Sequence, residues 1–192
     1  MGEQMIPVRR GPLDGVAAIE SEAVSLDVPE AVGKVILRGA SEDAAFTAAA
    51  AGVLGAALPL APNTTAQTDR GLVLWMGPSE WMVQVEGDGA AALIADLEAA
   101  FADLHAAVVD VSDYYAVIRL SGPRARDVLA KGCPLDLHPN VFDVEHCAQT
   151  RFVGTPILIY QKYVSPTYDI QVRWSFAEFL WLSLADATRE YR

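Results

Sequence analysis

KVILRGASEDAAF (Lys34–Phe46) and AVIRLSGPRARDVL (Ala116–Leu129) follow one pattern: a branched aliphatic run, a glycine, then a helix-forming stretch. A second pair, SEWMVQV (Ser79–Val85) and TYDIQVR (Thr167–Arg173), recurs at nearly the same offset, and each member again precedes a helical pattern. Two such likenesses at a common spacing predict a duplicated unit of strand, helix, two strands and helix. The fold class expected is α+β and pseudo-duplicated. Residues 1–21 form a loose N-terminal segment, 22–105 the first half and 106–192 the second, the two halves packed as one unit.

Local signals outward from these stretches agree with that order. Ser41, followed by Glu42 and Asp43, predicts a hydroxyl cap with acids over the positive end of a helix. Ala44 to Pro62 carries no charge over nineteen residues, the length of a membrane span. It is mostly alanine, however, and Gly52, Gly55 and Pro59 point to a buried helix ending near Gly55 to Pro59. Asn63 to Asp69 (NTTAQTD) reads as a polar loop. Leu72–Met76 and Trp81–Val85 read as strands joined by a Gly77-Pro78 turn, and Ala90–Leu104 as a helix. In the second half Gly122-Pro123 opens a short helix and Gly132 closes it. Ser175 with Glu178 predicts a capping box for the last helix.

Composition narrows the function. The chain has 192 residues, 52% of them hydrophobic and only 20% charged, so either its core is unusually full or part of its surface is covered. A net charge of −11 argues against binding nucleic acid or anionic membranes, which draws on Lys and Arg. Met1–Leu13 has no apolar run of the export type, and the two cysteines are expected as free thiols in a cytoplasmic protein.

No chemistry-bearing motif stands out. Neither GxGxxG nor GxxxxGK[ST] occurs, so no dinucleotide or P-loop site is expected. Cys133, His138, His146 and Cys147 could form a zinc set, but the spacing C-x4-H-x7-H-C misses the usual patterns, so ordinary loop residues are expected. Ser112 and Ser121 lie outside a G-x-S-x-G elbow. Asp110 and Asp113 suit backbone turns in DVSD better than amine binding, and His105 suits a surface connection. Arg119, Arg124 and Arg173 are the candidates for engaging a carboxylate, should the chain be a small-molecule binding module. No catalytic, cofactor or metal residue is assigned.

The last helix is the informative element. Phe176, Leu180 and Leu184 share a stripe, and Phe179, Trp181 and Leu182 widen it until the helix is apolar nearly all round. Such a helix is buried on more than one side, by its own core or by a partner chain. Phe176, Phe179, Leu180, Trp181 and Leu184 are the candidate interface.

Three stretches carry a family resemblance. LWMGPSEWMVQV (Leu74–Val85), AVVDVSDYYAVIRLSGPRARDVLAKGCPLDLHP (Ala107–Pro139) and VRWSFAEFLWLSLADA (Val172–Ala187) resemble sarcosine oxidase gamma subunits. The resemblance implies a fold like the folate-binding domain of glycine cleavage T proteins. It also implies a cytoplasmic complex that oxidises the N-methyl group of sarcosine to give glycine, hydrogen peroxide and a one-carbon unit for tetrahydrofolate. Partners would be alpha, beta and delta subunits, with FAD, FMN, NAD, tetrahydrofolate and zinc on those chains and no cofactor here. Where T proteins have an acidic Gly-rich loop this chain has NVFDVEHCAQTRF (Asn140–Phe152), which counts against the alternative of a free-standing folate-binding or aminomethyl-transfer protein.

Overall fold

Within β3 (Gly33–Arg38) side chains alternate between two apolar surroundings: Val35 and Leu37 lie under helices, while Ile36 meets a second sheet. The same alternation runs through the computed structural model, which describes residues 10–87 and 89–192. Residues 1–9, which begin both the segment expected to be loose and the stretch read as lacking an export signal, lie outside the described residues. Chain order is β1 (Ile19–Glu20), β2 (Ser25–Asp27), β3, α1 (Ala44–Leu54), β4 (Thr65–Thr68), β5 (Gly71–Gly77), β6 (Glu80–Val85) and α2 (Ala90–Ala100). It continues with β7 (Ala107–Asp110), β8 (Tyr115–Ser121), α3 (Ala125–Ala130), β9 (Cys147–Phe152), β10 (Thr155–Tyr163), β11 (Thr167–Arg173) and α4 (Ala177–Ala187).

The strands form two antiparallel sheets, ordered β4-β5-β6-β3-β7 and β1-β2-β8-β11-β10-β9. Helices α1 and α2 cover the outer face of the first with Phe46, Leu54, Leu93 and Leu97; α3 and α4 cover the second with Val128, Leu129, Leu180 and Leu184. The inner faces meet through Ile36, Leu74, Met82, Leu158 and Tyr160. Four layers result, helix, sheet, sheet and helix, and the duplication is real. Its register is one residue away from the sequence alignment: Trp81, Val83 and Val85 face helices, as do Tyr168, Ile170 and Val172. Aligning Trp81 with Asp169 would place one side chain outward and the other inward, since a one-residue slip exchanges the faces of a strand. WMVQV therefore matches YDIQV, and Gln84 matches Gln171.

The division expected at 105/106 does not follow the sheets. β7 flanks β3 in the first sheet, while β2, from the start of the chain, takes the equivalent place beside β8 in the second. Each sheet is thus completed by a strand from across the cut. The early segment is also less loose than expected, since Leu13 is buried in the core of the second sheet and Val16 and Ile19 pack against it.

Other local expectations shift for identifiable reasons. Asp43, not Ser41, caps α1, accepting from Ala45 N at 2.8 Å, while Ser41 Oγ bonds Glu42. Gly55 ends α1 at φ +80°, and a side chain there would strike the Asp69 carboxylate. The polar stretch expected as a loop contains β4, an edge strand of TAQT whose ladder partner is β5. Its threonines suit a strand, but without apolar alternation the pattern gave no strand signal. Helix α2 stops at Ala100, short of Leu104. Among the described residues no helix is long and apolar enough to cross a membrane.

A polar row crosses the layer between the sheets. Arg119 on β8 grips Asp169 on β11 with two bonds, Nε to Oδ1 at 2.6 Å and Nη2 to Oδ2 at 2.9 Å, and Asp169 is almost wholly buried. Tyr160 Oη on β10 lies 2.8 Å from Asp169 Oδ2 and 3.0 Å from the side-chain amide of Gln84 on β6 in the other sheet. A hydroxyl has one proton. It donates to the carboxylate, which can only accept, so the Gln84 amide turns its Nε2 towards the hydroxyl oxygen. Asp27 on β2 completes the row as the register partner of Arg119. The bond to Asp169 raises the Arg119 pKa, and burial, outweighing the attraction of Arg119, raises that of Asp27.

Two stability measurements follow from this row. Asp169→Asn removes the two-bond partner of Arg119, leaving it the looser attraction of Asp27, and is expected to cost roughly 3 kcal/mol, whereas Arg119→Met combined with Asp169→Leu should recover at least half of that loss. Urea unfolding reads both, and a single variant as stable as the parent would show the pair to be idle. For Asp27, a raised folded-state pKa means that its ionisation opposes folding at neutral pH. That penalty vanishes below the unfolded pKa of about 4. Asp27→Asn should therefore raise the urea midpoint at pH 7, with the gain disappearing towards pH ~3.5; an equal gain at both pH values would contradict this account.

Candidate functional site

Helix α4 divides its apolar residues between two faces. Ala177, Leu180, Trp181 and Leu184 are buried against the second sheet, so three of the five residues expected at an interface, Leu180, Trp181 and Leu184, belong to the chain's own core. The other two, Phe176 and Phe179, are 43% and 49% exposed, and Leu182, at 61%, joins them on the outer face. The capping box does not form. A 3-10 turn at Trp174–Phe176 precedes the helix, which starts at Ala177, so Ser175 lies within the tighter turn and Phe176 takes the cap position without a side-chain bond.

Strand register brings further apolar side chains to the same end of the second sheet. Tyr115 pairs with Arg173 and Ile157 with Val172. Tyr114 and Trp174 therefore stand just past the last pairs, and the β9–β10 turn at Val153-Gly154 closes at that end too. Trp174 N donates to Tyr114 O at 2.9 Å, and the Arg173 guanidinium lies 5.8 Å from the centre of the Tyr114 ring. Tyr114, Val153 and Trp174 are 46%, 54% and 37% exposed. With Phe176 and Phe179, they give five exposed apolar residues from separate parts of the chain at one end of one sheet.

Val153 is unusual in its backbone as well. Val153 and Gly154 have φ of +46° and +82°, the mark of a type I′ hairpin turn, where Asn-Gly is the favoured pair. A β-branched residue in the left-handed region costs roughly 1–2 kcal/mol. Val153 N donates to Gly132 O at 3.0 Å, and a Cβ on Gly132 would come within 2.8 Å of Val153 Cγ2, so the valine lies across the end of α3. Nothing in the sequence announced this, because neither φ nor exposure is written in residue type.

The other candidates do not converge. Cys133 lies in the helix-side core and Cys147 between the sheets, on the opposite face. His138 Nδ1 accepts from Asn140 N, and His146 Nδ1 lies 2.7 Å from Asp143 Oδ1. Burial pushes the Cys147 thiol up to about 11, so at neutral pH it is a protonated core residue. Asp110 Oδ1 accepts from Ser112 N at 2.9 Å within the DVSD turn, while Ser112 Oγ accepts from Lys34 N. Of the arginines considered for carboxylate capture, Arg119 is already forked onto Asp169, Arg124 pairs with Asp127 at 2.9 Å, and Arg173 covers Tyr114.

Comparison with known proteins supplies the context for this surface. A family described as "Sarcosine oxidase, gamma subunit family" matches residues 38–190. The chain is 38% identical to the sarcosine oxidase subunit gamma of Corynebacterium sp. (strain P-1) over 146 residues, covering 75% of this chain and 70% of that one. It is 36% identical to the Arthrobacter sp. subunit gamma, with the same coverage. Among solved structures, the heterotetrameric sarcosine oxidase of Corynebacterium sp. U-96 matches with a TM-score of 0.87 and 31% identity, over 95% of this chain and 96% of that one. The glycine cleavage system aminomethyltransferase T of Bartonella henselae matches with a TM-score of 0.63 and 15% identity, over 84% of this chain and 45% of that one, and so shares the fold. On the match along 38–190 and on relatives above one third identity across three quarters of its length, the chain belongs to the sarcosine oxidase gamma subunit family.

Proposed function

We propose that this chain is the gamma subunit of a heterotetrameric sarcosine oxidase and acts there as a non-catalytic packing partner. The observation that carries the reading is the exposed apolar outer face of α4, Phe176, Phe179 and Leu182, on a chain whose family takes its name from a multi-subunit enzyme. Its contribution is to cover apolar surface on a neighbouring subunit and to hold that subunit's folded state by mass action. A stable contact of this kind buries over ~1,000 Å² in total, more than α4's three outward side chains can supply alone.

Support also comes from what fills the middle of the fold. Ile36, Leu74, Met82, Leu158 and Tyr160 occupy the layer between the sheets, and Arg119, Asp169, Tyr160 and Gln84 bond to one another across it. In this reading those side chains, and no flavin, pterin or nicotinamide ring, occupy that layer. In this reading FAD, FMN, NAD, tetrahydrofolate and zinc belong to the alpha, beta and delta subunits, in a cytoplasmic complex that oxidatively demethylates sarcosine.

Expressed alone, the chain is expected to be aggregation-prone without forming a discrete dimer; co-expressed with the other subunits, it should elute from size exclusion in one stoichiometric complex. Phe176→Ser combined with Phe179→Ser should lower the stability of the isolated chain by about 2 kcal/mol, since each ring is only half buried, while cutting recovery of the complex severalfold. A monodisperse chain that ignores the other subunits, or one that turns over an N-methyl amine unaided, would defeat this reading.

A further inference from the structure

We infer that Val153, at the tip of the β9–β10 hairpin, anchors the contact with a neighbouring oxidase subunit, seated in an apolar recess of that subunit with Trp174 and Phe176 beside it. The inference rests on the reading of the chain as an oxidase subunit and goes beyond it, because it moves the centre of the contact from α4 to the end of the second sheet.

The argument starts from a mismatch between residue and backbone. The I′ turn asks for Asn-Gly, and the chain supplies Val-Gly with the valine at φ +46°. Burial within the chain does not compensate in full, since Val153 is 54% exposed. Strain of this kind persists where something beyond the local fold uses the side chain. Here the same residue sits where Tyr114, Trp174, Phe176 and Phe179 also surface, and Trp and Tyr are the residues that anchor interfaces.

The hairpin at the opposite end of the sheet provides the contrast. Val164, between β10 and β11, is 81% exposed, yet Asn63 and Val153 are the only non-glycine residues at positive φ among the described residues. Val164 thus projects from relaxed backbone, away from the apolar cluster. Charge favours a different chain over a second copy as the occupant, because two chains of net charge −11 repel one another.

The test uses the full chain co-expressed with the other oxidase subunits, with Val153→Asn and Val164→Asn as the variants. Dissociation of each complex is followed by mass photometry on dilution, and thermal unfolding is measured on each isolated chain. Val153→Asn should melt at or above the parent temperature, because it relieves the turn, yet weaken the complex at least tenfold; Val164→Asn should leave the complex within twofold. Val153→Asn binding within twofold of the parent would overturn the inference, as would an equal loss from Val164→Asn or a discrete homodimer of the isolated chain that Val153→Asn dissolves. A parent chain that joins no complex would remove the subunit reading, and this inference with it, whereas the other adverse outcomes leave that reading standing.

Discussion

The fork between Arg119 and Asp169 fixes how the two sheets can meet. It lies on the inner face of the second sheet, where its neighbours across the gap are aliphatic side chains and one glutamine. A lone charge in that position would be far more costly than the pair, so the two residues have to stay in register, and β8 and β11 with them. Tyr160 carries the constraint onward to Gln84 in the other sheet, which ties the relative placement of the layers to a short chain of hydrogen bonds. The corresponding positions in the first sheet are Ile36 and Met82, apolar and interchangeable in a way the fork is not. Duplication has given the two halves one backbone plan, and the middle layer has made them unequal.

The same inequality explains what the sequence revealed. Strands such as β6, buried on both faces, and β8, buried at alternate residues, were legible from their apolar runs. So was the end of α1 at Gly55, where chemistry and conformation coincide. β4 was missed because an edge strand of threonine, alanine and glutamine carries no alternation. Register was off by one because Asp169 and Met82, the residues that occupy equivalent inner positions, share neither size nor polarity, so a likeness of letters could not align them. The exchange of β2 and β7 between sheets was hidden for a different reason: strand order is a long-range property, and both segments read equally well as belonging to their sequence neighbours.

The surface was legible only in part. An apolar helix announces that it will be covered on more than one side, and α4 shows both sides: Leu180, Trp181 and Leu184 serve the core, while Phe176, Phe179 and Leu182 remain outside. Which residues take which side depends on the angle at which the helix lies on its sheet, and that angle is set by packing, not by composition. Trp174 and Tyr114 depend in the same way on a 3-10 turn and a strand end.

The crossing of flank strands also bears on how the chain is made. Ser25 pairs with Ser121, a partner 96 positions later (121 − 25), and β8 in turn needs β11, which ends at Arg173. During synthesis β2 emerges early with the short β1 beside it, while its other edge waits for β8, and β8 for β11, to leave the ribosome. The first sheet, by contrast, can close as soon as β7 is available. Nascent chains should therefore pass through a stage in which one layer is built and the other waits with an open edge, the kind of species that long-range strand pairing makes slow to mature and prone to stick.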